Sequence, residues 1–115
     1  MFDFEAIVNN NHIYINNSFN VLIKTINCSN RDFSYEGSST IVGATIYLKN
    51  KQGNIIRPND IPVTNDYQKN IIKANSTIER VWTFDKIEEP GRYDLYISFY
   101  DYVKIVYDFI FIEKN

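Results

Sequence analysis

The stretch Glu88-Glu89-Pro90-Gly91-Arg92-Tyr93-Asp94-Leu95-Tyr96-Ile97-Ser98-Phe99 decides how this chain is read. Pro90-Gly91 marks a turn. After it, Tyr93, Leu95, Ile97 and Phe99 alternate with Asp94, Tyr96 and Ser98. Period two sends the two sets to opposite faces of a strand. Apolar residues three and four apart would mark a helix, and no window of about eleven residues in the chain shows that spacing.

The same alternation recurs outward from this stretch. Downstream, Ile105, Tyr107, Phe109 and Phe111 alternate with Val106, Asp108 and Ile110, after a turn at Tyr100 to Tyr102. Upstream, Ile78, Trp82 and Phe84 mark a strand. Val42, Ala44, Ile46 and Leu48 alternate with Gly43, Thr45, Tyr47 and Lys49, and run into the hairpin signal Asn50-Lys51-Gln52-Gly53 and the pair Ile55-Ile56, stopped by Pro58. Phe19, Val21 and Ile23 begin a long strand to about Cys28. Phe2, Phe4 and Ala6 form a first strand, broken by Asn9-Asn10-Asn11 and resumed from His12 to Ile15. Ser29 to Thr40 reads as a polar loop, and Ile71-Ile72 as either a short strand or one turn of helix.

Seven or eight strands at these spacings predict one all-β domain over residues 1–115. The expected form is an immunoglobulin-like sandwich of two antiparallel sheets, because each amphipathic sheet must bury its apolar face. Val42, Ala44, Ile46, Leu48, Trp82, Tyr93, Leu95, Ile97 and Phe99 are the expected core. Trp82 belongs near its centre, with an indole N–H that needs a partner.

Composition narrows the function. The chain has 115 residues, a net charge of −2 and no run of Lys or Arg, so nucleic acid is not an expected partner. No apolar run approaches the ~20 residues that span a bilayer, so no membrane is expected either. The single cysteine, Cys28, forbids an internal disulfide and fits a reducing compartment. Met1-Phe2-Asp3-Phe4-Glu5 lacks the basic and apolar regions of a signal peptide. A cytoplasmic location is expected, although a secreted protein stripped of its leader would read the same.

Catalytic chemistry finds few parts. His12 is the only histidine and sits beside an Asn run, which reads as a surface position. Cys28 reads as a structural thiol. One Cys and one His cannot make a zinc set. Asp85, Glu88 and Glu89 match no calcium loop, and the four glycines, at 37, 43, 53 and 91, build no phosphate loop. The expectation is therefore no enzyme, with no catalytic, cofactor-binding or metal residue assigned.

Surface remains. In immunoglobulin strand order the loops at about 29–41, 64–75 and 100–104 gather at one end of the sandwich. They carry Arg31, Phe33, Tyr35, Tyr67, Tyr100 and Tyr102, and aromatic and Arg side chains are the usual anchors of interfaces. These six are the candidate partner-binding residues. Tyr96 and Tyr100 are the candidate platform for a carbohydrate. Outward tyrosines also stabilise cross-strand pairs without binding anything.

The order of motifs resembles the BsuPI-type intracellular proteinase inhibitors, over roughly residues 19 to 112. The residues that carry the resemblance are Asn27-Cys28-Ser29 at a strand end, Phe33 and Tyr35 in the loop, and the hairpin from Asn50 to Ile56. Trp82 and Pro90-Gly91-Arg92-Tyr93 complete it. Ala74-Asn75-Ser76 departs from it, standing where Pro-Gly is usual. The resemblance implies a sandwich that binds a protease, and no inhibitory residue is carried over from it; if a loop of this chain enters an enzyme cleft, Arg31 or Tyr35 is the expected side chain. The alternative is a structural subunit or homo-oligomer assembled through an edge strand. The final strand, Lys104 to Ile112, is apolar on both faces and is the expected edge.

Overall fold

The alternating runs do become strands, each bracketed by its turn residues. The computed structural model describes residues 1–38, 43–59 and 67–114, and among these there is no helix. In chain order the strands are β1 (Phe2–Ile7), β2 (His12–Tyr14), β3 (Phe19–Asn27), β4 (Phe33–Ser38) and β5 (Thr45–Asn50). They continue as β6 (Ile55–Ile56), β7 (Tyr67–Ile72), β8 (Thr77–Phe84), β9 (Gly91–Phe99) and β10 (Tyr102–Glu113).

A three-stranded sheet has the order β1-β3-β8, a five-stranded sheet the order β2-β10-β9-β5-β6, and β4-β7 form a ribbon of their own. None of the three closes into a barrel. The two larger sheets bury their apolar faces in one common cluster, giving a sandwich-like, all-β domain.

Three details differ from the sequence reading. Among the described residues ten strand segments replace the expected seven or eight, because β4 lies inside the stretch read as a polar loop and the short segments β2 and β7 stand as strands of their own. Ser34 and Glu36 face water while Phe33 and Tyr35 are half-buried, a period-two pattern too short and too polar to stand out. The two readings of Ile71-Ile72 resolve as strand. The five-stranded sheet is also not wholly antiparallel, since β2 runs parallel to β10, pairing His12 with Phe111 and Tyr14 with Glu113. Finally, the expected edge is closed only at one end, since β2 lies beyond β10 at Phe111–Glu113 and no described strand pairs with the outer side of β10 before that. Its apolar faces are explained by burial of Phe109, Ile110 and Ile112, with Val106 packed against the core.

Of the expected core, Ala44, Ile46, Leu48, Trp82, Tyr93, Leu95, Ile97 and Phe99 are all buried, whereas Val42 lies outside the described residues. The Trp82 indole Nε1–H donates to the Ala44 carbonyl at 3.3 Å, so its polar atom is satisfied inside. Tyr93 is fully buried, and its hydroxyl donates to the Glu89 carbonyl at 2.8 Å. That bond reaches four residues back across the turn and fixes the entry into β9. Burial holds the Tyr93 pKa above the usual tyrosine value.

Candidate interaction surface at the aromatic end

The site begins with a buried polar residue. Asn27 ends β3 and is almost wholly removed from water. Its Nδ2 donates to the carbonyls of Arg31 at 2.9 Å, Ile72 at 3.0 Å and Lys73 at 3.3 Å. Its Oδ1 accepts from the Ser29 amide at 3.0 Å and the Ser29 hydroxyl at 2.7 Å. One side chain thus ties the end of β3, the turn after it and the end of β7 together. Asp32 adds a second tie, accepting from the Ala74 amide at 2.8 Å. These bonds set the start of the β4-β7 ribbon, in which Phe33 opposes Ile72 and Tyr35 opposes Asn70.

From the ribbon, Phe33 and Tyr35 reach the turn between β9 and β10. Their ring centroids lie 6.0 Å apart. Phe33 sits edge-on to Phe99 at 5.8 Å and to Tyr100 at 5.7 Å. Tyr35 meets the same two rings at 5.7 Å and 6.0 Å. Phe2, from β1, meets Phe33 at 5.0 Å, Phe99 at 5.1 Å and Tyr102 at 5.1 Å. Steep interplanar angles put ring edges against ring faces, the arrangement that the aromatic quadrupole favours.

The bed of this cluster is fixed and its top is open. Phe99 is buried, and the Tyr35 hydroxyl accepts from the Gly43 amide at 3.3 Å. Gly43 has φ +82, and a Cβ there would stand 3.0 Å from Thr25 Oγ1, so glycine is needed at that anchor. Burial raises the Tyr35 pKa; the Gly43 amide opposes that rise and the neighbouring Tyr100 phenol adds to it. Above this bed, Tyr100 is 58% exposed and Tyr102 39% exposed.

Tyr100 is also strained. Phe99 pairs with Tyr102, so Tyr100 and Asp101 alone make the turn, and Tyr100 has φ +53. Among the described residues the other non-glycine positions with positive φ are Asn16, Asn75 and Asp108, types whose short polar side chains tolerate that region. A bulky aromatic there is an outlier, at a cost of roughly 1–3 kcal/mol.

Of the six expected residues, the structure thus brings Phe33, Tyr35, Tyr100 and Tyr102 into one cluster. Arg31 is exposed beside it and enters the network through its carbonyl, which accepts from Asn27 and from the Ser29 hydroxyl at 3.0 Å. Tyr67 starts β7 and pairs with Ser38; its side chain lies outside the described residues. Phe2 and Phe99 complete the cluster and were not among the six. Each had been absorbed into a strand pattern, and only the fold shows that both end at the same turn. Tyr96 stacks on Tyr47 at 4.8 Å and 4°, not on Tyr100, so it belongs to a different surface.

Elsewhere, a shallow cavity of about 260 Å³ is lined by His12, Arg92, Asp108 and Phe111, with His12 Nδ1 3.2 Å from Glu113. Among the described residues no cluster of three or more His, Cys, Asp or Glu is placed to hold a metal ion.

No protein-family model matches this chain, and no curated protein matches it. Solved structures do. A mutant β-glucosidase from Listeria innocua in complex with laminaribiose superposes with a TM-score of 0.59 at 13% identity, covering 98% of this chain and 16% of that one. The β-glucosidase from the same organism in complex with isofagomine gives 0.58 at 13% identity, covering 100% and 16%. The chain therefore spans about a sixth of those proteins, and at such identity the likeness is one of fold alone.

Proposed function

We propose that this chain is a non-catalytic, immunoglobulin-like binding module that engages another protein through its aromatic end. The immunoglobulin-like reading rests on the division of the N-terminal segment between both sheets, with β2 parallel to the last strand. The Tyr93 hydroxyl bond across the turn before β9 supports it, since sandwiches of that class carry a tyrosine at this corner.

The observation that carries the binding reading is Tyr100. An aromatic ring held in an unfavourable backbone region, and left exposed, gains the fold little. Strain of this kind persists where a particular side chain must be presented at a particular place. Tyrosine suits contact with protein, offering area and a hydroxyl at small entropic cost. Phe33, Tyr35 and Phe99 support the ring from below, so it is organised before a partner arrives. A protease is one such partner, with the turn at Tyr100 and the neighbouring Arg31 entering the enzyme cleft.

The edge-strand alternative finds less support. β10 is shielded at one end by β2, Lys104 reaches across to the Phe4 carbonyl at 2.8 Å, and a bulge interrupts its pairing between Val106 and Ile110. Bulges and lysines are devices that blunt an edge.

The test uses Tyr100→Gly and a Tyr100→Ala, Tyr102→Ala double variant. Tyr100→Gly relieves the strain while removing ring contacts, so its stability should stay within about 1 kcal/mol of wild type. Wild type immobilised on resin should retain a partner from lysate that both variants lose, and a protease so recovered should be slowed by micromolar wild type. Recovery of the same partner by all three proteins would overturn the aromatic end as the site.

A further inference from the structure

We propose that the hollow where the chain crosses between its two larger sheets binds a neutral sugar ring. It is built from other residues than the aromatic end, and the inference does not depend on that site.

The hollow follows from the path of the chain. After Ile7 the chain leaves the three-stranded sheet, joins the five-stranded sheet as β2, and returns as β3 at Phe19. The two crossings leave a space of about 330 Å³ between residues 8–10, β2 and residues 17–20. That volume stands at the lower end of small-ligand sites. Hydrogen bonds set its shape before any ligand arrives. Asn10 Oδ1 accepts from the His12 amide at 3.0 Å, and the Ile15 amide donates to the Glu113 carbonyl at 2.9 Å. The Asn17 amide donates to the Tyr14 carbonyl at 3.1 Å, closing a turn in which Asn16 takes φ +82. Two of the lining residues are anchored in the interior: Ile13 is buried in the core, and Phe19 stacks on buried Phe84 at 5.2 Å.

The chemistry of the lining selects the ligand. Charged residues make up 23% of the chain, yet no Asp, Glu, Lys or Arg lines this hollow among the described residues. A phosphate or carboxylate would meet no cation there except a protonated His12, whose Nδ1 already faces Glu113 at 3.2 Å. The lining is instead rich in amides: Asn9, Asn10, Asn17 and Asn20, all exposed, with the Ser18 hydroxyl beside them. A side-chain amide both donates and accepts, as a sugar hydroxyl does. Asn20 Oδ1 accepts from the Thr83 hydroxyl at 2.8 Å, so Asn20 and Asn10 each keep Nδ2 as a donor. The Asn9 and Asn17 side chains bond to no described residue and offer both functions. Tyr14 adds a flat surface, lining the hollow while 49% exposed. The negative face of its ring attracts the polarised C–H bonds of a pyranose. Amides that bond in both directions, one open aromatic ring and no fixed charge together suit a neutral polyhydroxylated ring. So open a site implies a dissociation constant on the order of 1 mM.

The test follows the amide NMR resonances of the full chain during titration with D-mannose, D-galactose, D-xylose and N-acetyl-D-glucosamine, each to about 50 mM. At least one should shift residues 8–20 saturably and leave the β4-β7 ribbon still. Glycerol and sodium sulfate at the same concentration should not. Tyr14→Ala should weaken binding about tenfold, whereas Tyr14→Phe, which keeps the ring, should stay within about threefold of wild type. Tyr107→Ala, which removes an exposed ring on β10, should bind as wild type does. Thermal melts establish folding. Should Tyr14→Ala fail to fold, Asn17→Ala carries the test, with an expected loss of about threefold or more. No saturable shift with any of the four sugars, the same shifts from glycerol or sulfate, or binding indifferent to both Tyr14→Ala and Asn17→Ala would overturn the proposal.

Discussion

Asn27 shows how one side chain can set a surface several residues away. It is buried, and five hydrogen bonds converge on it from three backbone carbonyls and both donors of Ser29. Asn27→Ala removes the side-chain donor from the buried Ile72 carbonyl and the acceptor from the Ser29 amide and hydroxyl, which should cost about 1–3 kcal/mol. The damage should fall unevenly, because the bonds join the ribbon to the sandwich. Hydrogen exchange should therefore rise across β4 and β7 more than across β9; a uniform rise would show that Asn27 acts only on global stability. Cys28, by contrast, is exposed, and its neighbours explain the Asn-Cys-Ser motif without it. In the sequence, Asn27 was legible only as part of a resemblance. Nothing in an Asn-rich chain marks which asparagine is buried.

At the scale of elements, β10 carries the device that the sequence concealed. Its pairing with β9 shifts between Val106 and Ile110, Asp108 takes φ +50, and the Asp94 carboxylate accepts the Asp108 amide. The bulge lets Phe109 turn inward and leaves Tyr107 71% exposed. Asp94→Ala removes the acceptor that holds the bulge, and should cost about 1 kcal/mol and broaden the amide resonances of residues 107–109. Asp94→Asn, which keeps an acceptor, should behave like wild type. If Ala and Asn prove equally harmless, the bulge is held by the chain around it. Alternation alone gave the location of β10 and missed this interruption, because a bulge changes register without changing composition. It gave β5 and β9 well, since their inward residues keep period two beside strong turns, and it gave β8 from Ile78, Trp82 and Phe84 although Arg80 and Val81 break the alternation. It missed β4, whose stability as a strand comes from Asn27 and the rings below it, not from its own residues.

For the whole molecule, two tyrosines at opposite ends of β9 respond to alkali in the same direction. Burial raises both Tyr93, at the corner before the strand, and Tyr35, under the turn after it. A raised folded pKa means the folded state holds its proton longer. Stability is then fully present below the ordinary tyrosine value near 10 and falls as pH climbs from there toward the folded pKa values. The urea midpoint should be level between about pH 7 and 9 and decline by about pH 11, with Tyr93→Phe declining less steeply. A midpoint that stays level to about pH 11 would show that both phenols ionise freely in the fold. The core was legible at this scale, because buried residues obey periodicity. The gathering of Phe2, Phe33, Phe99 and Tyr100 was not, because it depends on which loops share an end.

Phe2 belongs to the aromatic end, and the Met1 carbonyl accepts the Cys28 amide at 3.0 Å. Anything joined ahead of Met1 therefore emerges beside the rings. Ile112, by contrast, pairs with Gly91 at the far end of β10, roughly 30 Å from Tyr102 at the rise of an extended strand. An affinity handle or a fused reporter at the front of the chain would stand in the doorway it was meant to watch. One placed behind Lys114 would leave that doorway clear.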